Sequence, residues 1–429
     1  MNTRVVITGL GVVSPNGIGI PEFKESIKKG VSGIKHYKEL EDLNFKSQIG
    51  GWPQVTEEIT AKYFTPLELR KFNSSAILYG VMAGMDAWED AGLKIPSFED
   101  EPDWDSGTVF GIGSLSADKM REGNYLVDDL QVKKLGSNFI IQTMPSGVSA
   151  YLDSKLGFGN QVTTNSSACA TGTESILMAY ERIKYGKAKR MLAGGTNDSG
   201  PYAWAGFDAM RVATYKYNEE PEKGSRPMSR DASGFVPGSG AGAMVLESLE
   251  SALERGAHIY GEILGGHINT GGQKGDGSMT MPNSQGVQRC IREALKDAGI
   301  EAKDIDAING HLTSTGKCSL EIKNWAEALG RKGEEFPYVT ALKSMIGHTL
   351  GAAGAIESIA AVLQLEEGFL VPNLNCEDLD PEISNLVTQE KIPQQYLQKD
   401  LNIIAKSSFG FGDVNACIIF RKYTGEDQS

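Results

Sequence analysis

A cysteine at the junction of a polar segment and a helical pattern is the first candidate for chemistry. Residues 161–176 read QVTTNSSACATGTESI; the Thr-rich part ends at Cys169, and residues 172–184 can form a helix. The N–H groups in the first turn of a helix lack partners and the helix dipole is positive there, so a thiolate is favoured. We therefore expect the pKa of this thiol to fall below its reference value of about 8.5. The alternative is a small structural cysteine buried in a turn.

Two of the five histidines lie in a similar setting. His311 in HLTST and His348 in MIGHTLGAAG each lie at a strand end followed by a helix pattern. Together with Cys169 they would supply a nucleophile and two imidazoles from the ends of elements. A lysine close to two imidazoles, such as Lys343, should hold them neutral, and a carboxylate such as Glu357 can fix that lysine. A solvated ion pair is the alternative for these two charges.

Strand and helix patterns alternate along the chain, which predicts an α/β fold. The pattern restarts near residue 256, and the turn at His311 corresponds to the turn at Cys169, so we expect two similar halves, residues 1–255 and 256–429. Gly-rich turns or loops are expected at Gly9, at Gly11 and at residues 407–416. The predicted strands are residues 4–8, 108–112, 190–193, 243–246, 260–264, 305–308, 402–405 and 417–420, and the predicted helices are residues 21–29, 74–91, 142–156, 172–184, 200–211, 284–298 and 352–365.

The composition is that of an ordinary globular protein. Of 429 residues, 40% are hydrophobic and 23% charged, and a net charge of −13 argues against a nucleic-acid surface. An acidic partner protein would need a local basic patch. The five cysteines are dispersed without a CxxC, which favours reduced thiols over disulfides or a metal site. Without a signal-peptide pattern or a membrane-spanning apolar run, we expect a soluble, cytoplasmic protein that does not bind membranes.

Six motifs in a fixed order give the chain its resemblance to a known family. They are VVITGLGVVSPNG, SSACATG, SRPMSRDASGFVPGSGAG, NGHLTST, ALKSMIGHTLGAAGAIES and SSFGFGDVNA. Over almost its whole length the chain resembles the elongating β-ketoacyl-[acyl-carrier-protein] synthases (KAS I/II). The resemblance implies the thiolase-like fold, in which two similar α/β halves pack in a layered α-β-α-β-α arrangement. The first half would carry the nucleophilic cysteine and the second the two catalytic histidines.

The resemblance also implies a role for each candidate residue. Cys169 would accept the acyl chain as a thioester, and His311 and His348 would promote decarboxylation of the malonyl thioester. Lys343, tied to Glu357, would order the histidines. Phe409 would act as a gate between the two steps, and its N–H and that of Cys169 would form the oxyanion hole, which completes the catalytic set Cys169, His311, His348, Lys343, Glu357 and Phe409.

Substrate and partner contacts are carried over in the same way. The substrates would arrive on the phosphopantetheine arm of an acyl carrier protein, without a cofactor or metal of the enzyme's own. The enzyme would be a homodimer, with a heterodimer with a related subunit as the alternative. The implied substrate-binding residues are Thr313 and Thr315, with Thr280 as a weaker third, on the pantetheine arm and Ile112 and Phe207 along the acyl tunnel; the implied carrier-binding residues are Arg70, Lys71, Lys133, Lys134 and Arg211.

Several positions depart from the family pattern without removing a catalytic group. Leu312 replaces a glycine, and Ile322 stands where the family has a glutamate, with Glu321 one residue early. Ser278 replaces a frequent histidine, and Asp413 with Val414 replaces a Gly-Thr pair. Residues 316–319, GKCS, replace PLGD. These changes affect the polar groups that the family pattern places next to Lys343. They are also compatible with a family member that makes a specialised product instead of serving general fatty-acid synthesis.

Three other functions are compatible with parts of the sequence. The sequence would separate a ketosynthase for polyketide or aryl-polyene assembly from the fatty-acid enzyme only through the shape of the acyl tunnel. A non-catalytic chain-length partner subunit would have lost the nucleophile, so Cys169 argues against it. A CoA-dependent thiolase needs a second catalytic cysteine in a CxG context, whereas Cys417 lies in NACIIF.

Overall fold

A computed structural model describes residues 3–425. Its strands are β1 (Val5–Ser14), β2 (Gly17–Ile18), β3 (Ile34–His36), β4 (Ile49–Gly51), β5 (Ser106–Ile112), β6 (Val162–Thr163), β7 (Arg190–Asn197), β8 (Gly240–Ser248), β9 (Gly261–Thr270), β10 (Ala307–Asn309), β11 (Tyr338–Thr340), β12 (Phe369–Leu370), β13 (Leu397–Gln398), β14 (Ile403–Gly410) and β15 (Val414–Arg421).

Along the chain, the helices mainly alternate with these strands, as the sequence pattern predicts. They are α1 (Ile20–Lys29), α2 (Lys38–Asp42), α3 (Glu57–Thr60), α4 (Ser75–Asp90), α5 (Ala117–Asp128), α6 (Phe139–Thr143), α7 (Gly147–Leu156), α8 (Thr171–Lys184), α9 (Pro201–Ala209), α10 (Leu249–Glu254), α11 (Ser284–Ala298), α12 (Cys318–Leu329), α13 (Lys343–Ile346), α14 (Ala353–Glu367) and α15 (Pro381–Ser384).

The two halves of the chain repeat one strand order. In the first half the order from the edge is β6-β5-β7-β8-β1, and in the second it is β11-β10-β14-β15-β9. In each half the three strands nearest the edge are parallel and the remaining pairings antiparallel. A short antiparallel pairing of β1 with β9 joins the two halves. The expected boundary between residues 255 and 256 falls in the connection from α10 to β9.

Helices form three layers around the two halves of the sheet. Helices α4 and α7 pack on the strands of the first half, and α11 packs on β9, β15 and the neighbouring α12. Helices α8 and α14 lie between the halves, because each contacts strands of both. A separate apolar core fills each of the three spaces. The layered α/β architecture predicted from the sequence is therefore confirmed.

The glycines near the N-terminus serve packing and do not form a turn. Strand β1 runs through Gly9 and Gly11 and is buried along its whole length. A Cβ on Gly9 would lie 2.1 Å from the carbonyl oxygen of Ala87, and one on Gly11 would lie 2.0 Å from that of Ala83. Because helix α4 approaches this closely, only glycine fits. The predicted Gly-rich turn was wrong.

Two other element predictions need correction. The helix predicted over residues 142–156 is divided between α6 and α7, because Met144 is extended before Pro145 and proline disfavours a helical residue before it. Ser407 to Gly410 of the predicted Gly-rich loop belong to β14, and the turn to β15 contains only residues 411–413. Among residues 3–425, no helix has both the length and the apolar character required to cross a membrane.

Candidate active site

The first turns of the two central helices touch each other. A Cβ on Gly172 of α8 would lie 2.5 Å from the backbone nitrogen of Ala355 on α14, and a Cβ on Gly354 would lie 2.4 Å from that of Thr173. Real side chains do not tolerate such distances. The paired glycines therefore allow the segments that precede α8 and α14 to meet, and these segments carry Cys169 and His348.

Cys169 and His348 are in direct contact. The Nε2 atom of His348 lies 3.1 Å from the Cys169 sulfur, and its Nδ1 accepts the N–H of Leu350 at 3.2 Å. Since Nδ1 is an acceptor, the proton of the neutral ring is on Nε2, directed into the cavity. The ring of His311 lies 5.3 Å from that of His348. The sequence-predicted nucleophile and imidazoles thus lie together.

The electrostatic setting of the thiol differs from the expected one. Burial raises the pKa of Cys169 to about 11, although Lys343 and the backbone N–H groups of Phe411 and Cys169 act to lower it. The expected fall in pKa at the helix end was wrong, because desolvation of the thiolate outweighs the nearby donors. The preceding residue, Ala168, has a φ of 49°, a conformation that costs energy for a residue with a side chain.

The structure corrects the assignment of Phe409. Phe409 lies inside β14, paired with Asn415, and its ring lies 6.1 Å from that of His311. The N–H that approaches the Cys169 sulfur is that of Phe411, in the turn after the strand. Gly410 makes this approach possible, since a Cβ there would lie 3.0 Å from the nitrogen of Cys169. Phe411, two residues further along, was missed within the same SSFGFG motif.

Both imidazoles are held in the neutral form. Burial and the ammonium of Lys343 lower the pKa of His311 and of His348 well below the usual value of histidine. Lys343 is itself buried and pairs with the carboxylate of Glu357, which has no exposed surface. The solvated ion pair considered from the sequence is therefore excluded. A second buried ammonium, that of Lys406, also acts on both histidines and was missed.

A buried carboxylate supports the strand end that carries His311. Glu321 accepts the N–H of His311 at 2.7 Å and that of Leu312 at 2.8 Å. Burial raises the pKa of Glu321, while these two N–H groups act to lower it. Ile322 stands at the position of the family glutamate. It packs in the apolar core between the strands of the second half and helices α11 and α12, which we call the outer core of that half. The departure at residues 321–322 therefore leaves a carboxylate in place behind His311.

Asp413, which replaces a glycine, has a clear structural role. Its φ is 64°, in the left-handed region that glycine and aspartate tolerate best. Its carboxylate accepts the N–H of Asn283 at 2.7 Å and that of Gln273 at 2.9 Å. The side chain thus ties the turn that holds Phe411 to the loop before α11.

One cavity contains most of the predicted substrate residues. Thr313 and Thr315 line it with their hydroxyl oxygens 3.0 Å apart, and Phe207 and the exposed Thr280 also line it. Ile112 does not: it is buried at the end of β5 in the outer core of the first half. The remaining lining residues include Cys169, His311, His348, Phe235, Leu350, Lys317, Cys318, Glu321, Phe409 and Phe411.

Four of the five predicted carrier-binding cations lie on two neighbouring segments. Arg70 and Lys71 precede α4, Lys133 and Lys134 follow α5, and all four are exposed. The ammonium of Lys71 donates to the backbone carbonyl of Lys134 at 3.2 Å, which fixes the two segments side by side. Arg211 is exposed next to Val212, which lines the cavity.

Cys169 and the two histidines also have the spacing of a metal site. Ligand atoms of Cys169, His311 and His348 lie within 4.8 Å of one another. The ammonium groups of Lys343 and Lys406 act on both imidazoles, and their positive charge opposes a cation there. The charges therefore favour neutral hydrogen-bond donors over metal ligands. Cys417 is buried in the outer core and does not line the cavity, which excludes it as the second cysteine of a thiolase.

Comparison with known proteins gives the family. The model of the β-ketoacyl synthase N-terminal domain matches residues 2–252, and that of the C-terminal domain matches residues 260–377. The chain is 36% identical over 428 residues to 3-oxoacyl-[acyl-carrier-protein] synthase 1 of Haemophilus influenzae, covering 98% of this chain and 100% of that protein.

Solved structures agree with this match. A β-ketoacyl synthase from Burkholderia phymatum has a TM-score of 0.89 at 29% identity, covering 98% of this chain and 100% of that one. AntDE:AntF, a type II polyketide synthase acyl-carrier protein in complex with its ketosynthase, has a TM-score of 0.84 at 29% identity, covering 99% of this chain and 100% of that one. The chain belongs to the β-ketoacyl synthase family of condensing enzymes, with the thiolase-like fold.

Proposed function

We propose that the chain is a β-ketoacyl-[acyl-carrier-protein] synthase that lengthens an acyl chain by two carbons in fatty acid biosynthesis. The observation that carries the proposal is the meeting of a thiol and two neutral imidazoles in one cavity, with His348 Nε2 3.1 Å from the sulfur of Cys169. A thiol can hold the growing chain, and neutral imidazoles can donate hydrogen bonds to an enolate.

In the acyl-transfer step the sulfur of Cys169 attacks the acyl thioester on the carrier arm. The new C–S bond forms while the C–S bond to the carrier breaks, and the carrier thiol leaves with the proton. Negative charge develops on the carbonyl oxygen, where the N–H groups of Cys169 and Phe411 can stabilise it. These two donors replace the pair that included Phe409.

In the condensation step the malonyl thioester loses its carboxyl group. The C–C bond breaks, CO2 leaves, and the electron pair moves into an enolate whose oxygen accepts hydrogen bonds from His311 and His348. The enolate carbon then attacks the thioester on Cys169, and the sulfur leaves and takes up a proton. Neutral rings suit this task, since their N–H groups can donate without a metal.

The acyl carrier protein is the proposed partner. The ketosynthase of the AntDE:AntF complex binds an acyl-carrier protein, and the exposed Arg70, Lys71, Lys133 and Lys134 give this acidic chain a local basic surface. Lys71→Glu should raise KM for the acyl carrier protein and leave kcat unchanged, and the exposed Lys303→Glu is the control. An unchanged KM would exclude this surface.

Assembly and location are also proposals. We propose a homodimer, with a heterodimer with a related subunit as the alternative, and sedimentation of the purified chain alone distinguishes them. A cytoplasmic location is supported by the five unpaired cysteines, which suit a reducing compartment. Fractionation of the source cells tests it, and recovery outside the cytoplasm would contradict it.

Intact-protein mass spectrometry tests the reaction itself. The enzyme is incubated with acyl-carrier proteins of varied chain length and then with malonyl-carrier protein. We expect an acyl adduct on Cys169 that disappears with malonyl and gives a product two carbons longer. Failure to form any adduct would contradict the fatty-acid proposal. It would favour the second candidate, a polyketide or aryl-polyene ketosynthase, which the similarity to the AntDE:AntF ketosynthase supports.

A further inference from the structure

A lysine without exposed surface lies beside the histidines and has no part in the reaction steps. Lys406 is on β14 and is paired across the sheet with Asn309, two residues before His311. Its ammonium lies 2.8 Å from Glu357 Oε2 and 3.0 Å from the hydroxyl of Ser408, and it donates to the carbonyl of Ser407. A buried ammonium requires such compensation, because burial alone disfavours its charge.

Lys406 completes a cluster of four buried charges. One oxygen of Glu357 pairs with Lys343 and the other with Lys406. The fourth member is Glu321, whose Oε1 accepts the hydroxyl of Ser407 at 3.3 Å. We call these four residues, Lys343, Lys406, Glu357 and Glu321, the charge cluster.

The positive and negative charges of the charge cluster are equal in number only when Lys406 is present. Two ammonium groups then lie close to two buried carboxylates. Removing Lys406 leaves one ammonium for Glu357 and Glu321 together, and an uncompensated buried charge forces a change of protonation or position.

The charge cluster contacts the catalytic histidines in two ways. Glu321 accepts a hydrogen bond from the backbone N–H of His311. The positive charge of both lysines disfavours the protonated form of His311 and of His348. The titratable groups around Lys406 are Glu357 from α14, Lys343 from α13, Glu321 from α12, the Cys417 thiol from β15, His311 and His348.

We propose that Lys406 is a positioning residue for decarboxylation, whose tethered ammonium holds Glu357 against Lys343 and balances Glu321 behind His311. It touches neither substrate nor reacting atoms, and its role in the reaction rests on the proposed function. The competing explanation is that Lys406 only stabilises β14. That explanation predicts a wild-type ratio of decarboxylation to acyl transfer in a folded variant.

The first test measures the histidines directly and does not depend on the reaction. With only five histidines in the chain, ring resonances can be followed by NMR from about pH 5 to 8, the range in which histidine normally titrates. His311→Asn and His348→Asn assign the two resonances. In wild type both should stay neutral through this range, and in Lys406→Met, which keeps most of the side-chain volume, both should titrate at a higher pH than in wild type.

Lys184→Met is the matched control. Lys184 is also largely buried and pairs with Asp297 at 2.7 Å, but it lies at the opposite end of α8 from Cys169. Its removal should leave the titration of His311 and His348 unchanged. Unchanged titration in folded Lys406→Met, or an equal shift in Lys184→Met, would overturn the proposal. If the titration shifts as expected but wild type forms no condensation product, the proposed function is wrong. The effect of the charge cluster on the two histidines is then still supported.

The second test separates the two chemical steps. Lys406→Met should form the Cys169 acyl adduct at nearly the wild-type rate and decarboxylate malonyl-carrier protein about tenfold more slowly or worse, as is typical when a supporting partner is lost. In Lys406→Ala, methylammonium should restore decarboxylation and tetramethylammonium, which cannot donate a hydrogen bond, should not. If both variants unfold and methylammonium does not restore the fold, Lys406 is a stability residue and the proposal is wrong.

Discussion

The turns before the two central helices share one backbone design and differ in their charges. Each turn is a short 3-10 helix, Ala168–Ala170 before α8 and Leu350–Ala352 before α14. The first residue of each has a positive φ, 49° at Ala168 and 52° at Leu350. A glycine near the start of each following helix, Gly172 or Gly354, packs against the other helix. The repeated fold therefore supplies two similar turns that meet, and the counterpart of the Cys169 turn is the one that follows His348. The expected correspondence with the turn at His311 was wrong, because His311 follows β10, the counterpart of β5.

The surroundings of the turns decide their chemistry. The turn in the first half presents Cys169 to the backbone N–H groups of Phe411 and of Cys169 itself, so it can hold a thioester oxygen. The turn in the second half presents His348, with Lys343 and Lys406 buried behind it. The same backbone thus carries a thiol in one half and a neutral imidazole in the other.

Replacing the nucleophile should have the largest effect. Cys169→Ala should abolish acyl transfer and condensation, because it removes the thiol that lies 3.1 Å from His348 Nε2. Cys169→Gln should also fail to accept an acyl chain but should retain decarboxylation of malonyl-carrier protein, since both histidines remain. Product analysis and CO2 release measure the two steps separately. Normal condensation by Cys169→Ala would contradict the account of the first turn.

Removing either imidazole should impair decarboxylation and leave acyl transfer largely intact. His311→Ala and His348→Ala should each lower decarboxylation by about 10²–10³-fold, the usual effect of losing one donor to a developing oxyanion. Formation of the Cys169 acyl adduct should persist in both variants. Wild-type decarboxylation in either one would remove that histidine from the proposed mechanism.

Enlarging the contact between the turns should destabilise the protein. In Gly354→Ala the new Cβ would lie 2.4 Å from the nitrogen and the hydroxyl of Thr173, and such overpacking costs about 1–3 kcal/mol. We expect a lower midpoint of unfolding in denaturant. Gly206→Ala on α9 is the control, because its Cβ would meet no atom within 4 Å. Equal stability of the two variants would show that the helices need no glycine there.

The smallest expected effect is in the pH dependence of decarboxylation. Burial and Lys343 lower the pKa of both histidines, so the neutral rings should persist at pH values below about 6.5, the usual pKa of histidine. Decarboxylation by the enzyme should therefore begin to fall only at more acidic pH. In Lys343→Met the fall should begin at a higher pH, because a positive charge has been removed. An unchanged acid limb in this variant would contradict the role of Lys343.

The sequence identified the residues of both turns, and the structure was needed for their environment. Cys169, His311 and His348 lie in motifs whose residue types indicate chemistry. The pKa of Cys169 depends on burial by distant segments, which a local helix-end argument does not include. The N–H of Phe411, not that of Phe409, reaches the sulfur because β14 continues to Gly410, five residues beyond the end of the predicted strand at residue 405. Lys406 gave a signal that was missed, because this lysine lies directly between the apolar predicted strand 402–405 and two serines.

The proposed roles of the two turns are tested most directly by a crystal structure of the enzyme with an acyl chain bound to Cys169. We predict that the thioester carbonyl oxygen accepts hydrogen bonds from the N–H groups of Cys169 and Phe411. The ring N–H groups of His311 and His348 should remain free for the malonyl group. A thioester oxygen bonded to either histidine, or to the N–H of Phe409, would contradict the account.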